Sequence, residues 1–147
     1  MKKLIVVLGL VLSMWSCESP EKPSLTYLQT EEFAKLNRPY SQAVKYGDIL
    51  YVSGQIGALP NGSIVEGGIE AETVQTMENI KTILEANGSS IEKVIKCTCM
   101  LADISEFGAM SGAYVKYFPE NKPARSAMEV SLPLGAKVEI ECMAALN

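Results

Sequence analysis

Ala43-Val44-Lys45-Tyr46-Gly47-Asp48-Ile49-Leu50-Tyr51-Val52-Ser53 is the stretch from which the fold is read. Two β-prone runs flank a Gly-Asp pair. A two-residue loop of that composition supplies the positive φ that a tight hairpin needs, so the segment predicts two antiparallel strands. Ser53-Gly54-Gln55 ends the second strand. From Ile69 the apolar residues fall at Ile69, Val74, Met77, Ile80 and Leu84, close to a 3.6-residue period, and Asn87-Gly88 supplies the stop of one amphipathic helix. Val94 to Leu101 is a β-rich run. Asp103 then reads as the cap of a second helix, with Glu106 three residues on as in a capping box and Phe107, Met110, Tyr114 and Phe118 on one face; Pro119 ends it. Ala127–Ser131 and Lys137–Ala144 read as two last strands split by Leu132-Pro133-Leu134-Gly135, the second alternating as Val138-Glu139-Ile140-Glu141-Cys142.

The resulting order, ββαβαββ, predicts an α+β fold. Right-handed crossovers place both helices on one face of a mixed sheet, and the other face then has no helical cover. A sheet this apolar with a bare face is expected to associate with copies of itself, because soluble monomers rarely expose several hundred Å² of contiguous apolar surface.

The N-terminus is a separate object. Met1-Lys2-Lys3, the apolar run Leu4–Leu12 and Ser13-Met14-Trp15-Ser16-Cys17 combine a positive start with an apolar stretch too short to span a bilayer as a helix. Residues 1–16 read as an export signal of lipoprotein type, with Cys17 acylated as the first mature residue after the small Ser16. A plain secretory signal or an uncleaved anchor is the other reading. Glu18-Ser19-Pro20-Glu21-Lys22-Pro23-Ser24 has no apolar period, so 17–36 is read as a tether and lead-in and 37–147 as the folded domain. These features predict a protein outside the cytoplasm, anchored on a periplasmic or cell-surface face of a membrane.

Composition narrows the chemistry. The 147 residues are 48% hydrophobic and 20% charged, one ordinary globular domain, with a formal charge of -4. Loss of residues 1–16 removes two lysines and no acids, leaving -6. A chain so acidic, with no basic cluster, is not expected to bind nucleic acid. It contains no histidine, which excludes Ser-His-Asp and Cys-His nucleophile systems, His-ligated metals and an imidazole base. Asp48 and Asp103 are the only aspartates, and Arg38 and Arg125 the only arginines. Cys97 and Cys99 lie on one side of a strand, too far apart and too parallel for an easy bridge, and with Cys142 read as small buried hydrophobes; no metal and no cofactor is expected.

Arg125 stands among small residues at the start of a strand. A planar guanidinium there grips a carboxylate through two parallel hydrogen bonds, or it pairs with a neighbouring glutamate as a structural ion pair. Glu139 and Glu141 share one face of the last strand, where one of them can line a cleft or both can simply be solvated. Gly54, at a strand end, lets a ligand approach the backbone or merely makes a turn.

Six segments in order, Arg38-Pro39-Tyr40-Ser41-Gln42-Ala43, Tyr51-Val52-Ser53-Gly54-Gln55-Ile56, Gly68-Ile69-Glu70-Ala71-Glu72-Thr73, Glu78-Asn79-Ile80-Lys81, Pro123-Ala124-Arg125-Ser126 and Val138-Glu139-Ile140-Glu141-Cys142, resemble the Rid/YjgF family of small imine deaminases. The resemblance runs from about Pro39 to the C-terminus. It implies a chorismate-mutase-like fold, a homotrimer with clefts between subunits, and hydrolysis of 2-imino acids to 2-keto acids and ammonia. Carried over by position, Arg125 would hold the substrate carboxylate, Glu139 would position the attacking water, and Tyr40, Ser53 and Gly54 would wall the cleft and offer a backbone donor. Ser111 stands where the family often has asparagine and Ala127 where it often has cysteine; Ala127 can still lend main-chain groups, while the shorter reach of Ser111 bears on substrate preference.

The absence of histidine fits such a reaction. A protonated imine is already electrophilic, so the protein need supply only orientation and one moderate base near a water. The competing reading is a non-catalytic trimeric lipoprotein that holds a small carboxylate in the same cleft. The presence of both Arg125 and Glu139 favours the enzyme, since a carboxylate binder needs the arginine and gains nothing from a nearby anion.

Overall fold

The computed structural model describes residues 22–146, so the signal segment and Cys17 lie outside the described residues. Six strands form one sheet: β1 (Leu25–Leu28), β2 (Ala43–Tyr46), β3 (Ile49–Ile56), β4 (Val94–Leu101), β5 (Ala124–Glu129) and β6 (Val138–Ala145). Their spatial order is β1-β2-β3-β6-β4-β5, antiparallel throughout except for the β4–β5 pair. Three helices accompany it, α1 (Glu31–Lys35), α2 (Gly68–Ala86) and α3 (Phe107–Tyr114). The β2–β3 hairpin closes as expected on Gly47 and Asp48, with Tyr46 opposite Ile49 and Gly47 at φ +58°.

Alternation along the strands decides which face is covered. Ala43, Leu50, Val52, Cys97, Cys99, Leu101, Val138, Ile140, Cys142 and Ala144 are all buried, and each lies opposite another of the set across the ladders. Against them pack Ile69, Thr73, Met77, Ile80 and Leu84 of α2 and Met110, Ala113 and Tyr114 of α3, with Phe118 just beyond. Thr73, fully buried, satisfies its hydroxyl on the carbonyl of Ile69 one turn back, at 2.7 Å. The opposite face carries Tyr51, Lys96, Thr98, Met128, Glu139 and Glu141, and neither α2 nor α3 packs on it. The α+β architecture, with both long helices on one face, is that expected from the sequence. No helix among the described residues is long and apolar enough to cross a membrane.

Three local expectations are corrected. The segment 17–36 read as tether and lead-in contains β1, paired to β2 with Leu25 opposite Tyr46, and the short α1, whose N-cap Thr30 accepts from the backbone N–H of Phe33 at 3.2 Å. Asp103 does accept from Ser105 N at 2.8 Å, but it caps a 3-10 turn, and the Glu106 carboxylate goes to the Lys137 amine at 3.0 Å instead of closing a capping box. β5 starts at Ala124 and ends at Glu129, three residues earlier than expected at its start, because its parallel register with β4 matches Ala124 to Lys96.

One irregularity positions a functional residue. Val52 lies opposite Cys142 and Gln55 opposite Ile140, so Ser53 and Gly54 of β3 together face the single Glu141 of β6. This is a β-bulge, two residues against one, which bends β3 away and re-aims its neighbours.

Candidate active site

The first half of the site stands at the edge of the covered face. In the parallel register Arg125 lies opposite Cys97 and Ala127 opposite Cys99, so both share the face that carries the helices. The Arg125 guanidinium reaches over α3, where Cζ lies 5.1 Å from the ring centroid of Phe107 and 5.1 Å from that of Tyr114. The two rings are seven residues, about two turns, apart on one helix face, which puts them side by side under one cation. Among the described residues no carboxylate pairs with Arg125; the ion pair found is Lys137–Glu106. The structural pairing with a neighbouring glutamate is therefore not formed. Ser111, between the two ring positions on α3, has a buried hydroxyl without a hydrogen-bond partner, and the buried Tyr114 hydroxyl has no partner of ordinary geometry either. Burial, with the adjacent Cys97 thiol, pushes the Tyr114 hydroxyl well above its usual range, so it stays neutral.

The second half lies on the open face. Glu139, half-buried on β6, stands opposite Met100 of β4 and Ile56 of β3. Its carboxylate lies against the Cα of Gly54: a Cβ on that residue would come within 2.8 Å of Glu139 Cδ, closer than side chains approach one another. The bare Cα is what lets the carboxylate lie this close to the backbone; a side chain here would push it aside. Loss of water on burial, together with the negative Glu141 two residues on, raises the Glu139 carboxyl above its ordinary value. The Ser53 hydroxyl is committed to the carbonyl of Ser41 at 2.7 Å and its N–H to the carbonyl of Gln42 at 3.0 Å, so Ser53 braces the bulge instead of presenting a side chain to a ligand. Tyr40, next to Ser41, is exposed and packs edge-on against Phe33 at 5.5 Å.

Within one chain these halves do not meet. Arg125, Ala127 and Ser111 belong to the covered side, Glu139 and Gly54 to the open side, and two strand spacings, about 9–10 Å, separate β5 from β6 as well. One chain therefore presents the arginine and the carboxylate on different sides of its sheet. The sequence had marked Phe107 and Tyr114 only as core residues of a helix face. Their second role, as a bed for Arg125, follows from the register of β5 and carries no local signal.

A small sheet of this topology, with a glycine-backed carboxylate on its bare face and an unpaired arginine at its edge, defines the class. The Endoribonuclease L-PSP family model matches residues 31–146, and the chain belongs to that family, the Rid/YjgF family of the resemblance. It is 50% identical over 117 residues to a RutC family protein of Pyrococcus horikoshii, covering 78% of this chain and 93% of that one. It is 44% identical over 108 residues to the human 2-iminobutanoate/2-iminopropanoate deaminase, covering 72% and 79%. The crystal structure of the yeast protein YEO7_yeast superimposes with a TM-score of 0.79 at 40% identity, over 84% of this chain and all of that one.

Proposed function

We propose that this chain hydrolyses 2-imino acids to 2-keto acids and ammonia, in clefts that each take Arg125 from one copy and Glu139 from the next copy of a homotrimer. Arg125 carries the reading: an exposed arginine, held over two rings and paired with no carboxylate among the described residues, is a fork awaiting an anion. The guanidinium grips the substrate carboxylate. Water adds to the carbon of the protonated imine while Glu139 takes one of its protons; Glu139 returns that proton to the carbinolamine nitrogen, and the C–N bond breaks to release ammonia as the hydroxyl gives up its proton and becomes the keto group. The raised proton affinity of Glu139 makes it a stronger base than an ordinary solvated carboxylate. The deaminase name of the human relative supports this substrate class. The name Endoribonuclease L-PSP refers to RNA cleavage, which a chain of charge -4 with two glutamates on its open face is poorly suited to approach.

The reading extends to location: an exported lipoprotein acylated on Cys17 and facing the periplasm or the cell surface, the proposal being supported by the charged start and the short apolar run ahead of that cysteine. The test is a coupled assay in which an amino-acid oxidase generates the imine and competing semicarbazone formation is followed. The protein should suppress semicarbazone and accelerate keto-acid release; no effect at stoichiometric protein sinks the activity. Light scattering should give a trimer at micromolar concentration, and a stable monomer would remove the shared cleft. Cys17→Ser should abolish the lipid mass and release the protein from membranes.

A further inference from the structure

Three thiols lie under the Arg125 edge, and two of them face each other. Cys97 of β4 and Cys142 of β6 are direct partners in the antiparallel register, both on the covered face, at 1% and 4% exposure. Cys99 is two residues further along and faces Ile140. Opposed residues in an antiparallel ladder have Cα atoms about 4.5–5.5 Å apart, inside the roughly 4.4–6.8 Å window of a disulfide. No trio of His, Cys, Asp or Glu among the described residues could hold a metal, so the thiols do not read as a metal centre.

We propose that Cys97 and Cys142 are a site of reversible cross-strand disulfide formation. Both residues arise from positions where a small apolar side chain would pack equally well, and the sheet places them one against the other. The facing thiol of Cys142 lowers Cys97 and is itself raised by it; burial works against the lowering of Cys97, and the Tyr114 hydroxyl and the Arg125 charge add smaller contributions that hold it down. Cys97 is therefore the attacking sulfur. Burial instead pushes the Cys99 thiol up to about 12, which keeps it protonated and inert.

The oxidant is a small-molecule disulfide of the glutathione type. Cys97 thiolate attacks one of its sulfurs, breaking that S–S bond and expelling the first thiol. The Cys142 thiol loses its proton, and its sulfur attacks the mixed disulfide at Cys97, expelling the second. Two protein thiols are oxidised and one external disulfide is reduced to two thiols. Cβ atoms facing one another across a ladder sit about 4.5–5.5 Å apart against roughly 3.5–4.5 Å in a relaxed disulfide. The bond must draw β4 and β6 together, and a strained bond of this kind is readily reduced.

The full chain, equilibrated in glutathione buffers from reducing to oxidising poise and alkylated before tryptic digestion, tests this. Cys97 and Cys99 fall on peptide 97–116 and Cys142 on 138–147. The oxidised protein should yield these two peptides joined, two hydrogens lighter than their sum, and dithiothreitol should separate them. Fragmentation of the joined wild-type peptide should assign the bond to Cys97. Cys99→Ser should keep the link, and Cys97→Ser or Cys142→Ser should lose it. Absence of the joined peptide at oxidising poise, or a bond through Cys99 or Cys17, overturns the proposal.

Discussion

Ile140 and Glu139 are neighbours on β6, yet they face opposite worlds. Ile140 is fully buried between Cys99 and Gln55 on the helix-covered side, and Glu139 is half-buried on the bare side against Gly54. The whole sheet repeats this division. The covered face is a continuous set of aliphatic and thiol side chains that closes on α2 and α3; the open face mixes tyrosine, lysine, methionine and two glutamates and lacks such a cluster among the described residues. Stability thus resides on one side of the sheet, and the proposed base stands on the other. Arg125 is the exception, because the sheet edge lets a residue of the covered side reach solvent over the rings of α3.

That division is breakable, and the largest effect is expected on the covered side. Ile140→Ala should cost about 2–5 kcal/mol of folding stability in urea titrations; a loss below about 1 kcal/mol would mean that the core closes without β6. One residue away, Glu139→Gln should leave the urea midpoint near wild type and lower kcat by about a hundredfold to ten-thousandfold, with KM little changed, since the base is gone and the anchor is kept. Arg125→Lys keeps the charge and loses the fork, so kcat/KM should fall by about tenfold to several hundredfold, from roughly 1.5–3 kcal/mol per charge-assisted bond. If the variant instead unfolds, or turns over at the wild-type rate, Arg125 is structural. Gly54→Ala pushes a methyl into the Glu139 carboxylate, a flexible group that can yield. Stability should hold while kcat drops up to about a hundredfold, the cost of moving a catalytic group by about 1 Å. The smallest effect belongs to Glu141→Gln. Its negative charge helps raise Glu139, so removing it lowers the Glu139 carboxyl and should shift the acid limb of the kcat–pH profile to lower pH. A shift to higher pH would separate the two carboxylates.

The parts of this molecule legible in the sequence are those fixed by local pattern. β4 reads with its observed bounds, Val94–Leu101, because its apolar run is bounded by turn signals, and the β2–β3 hairpin reads from Gly47-Asp48. Leu25–Leu28 escapes notice because four residues beside Pro23 have no period of their own; pairing with β2 makes them a strand. Glu139 and its side of β6 are legible from alternation along the strand; the face that Arg125 takes and the contact of Glu139 with Gly54 are not. They depend on β5 beginning at Ala124 in parallel register with β4, and on two residues of β3 being set against one of β6, relations between distant segments that no single stretch encodes.

The rings beneath Arg125 bear on the speed and tightness of capture as well as on its geometry. A free arginine side chain carries about 2 kcal/mol of rotamer entropy, most of it surrendered when a ligand fixes the guanidinium. Resting 5.1 Å above both Phe107 and Tyr114, this one has already surrendered part of that freedom in the folded chain. A small anion with few contacts to offer then meets a receptor whose disorder was removed before it arrived, and more of its modest interaction energy is left to appear as affinity.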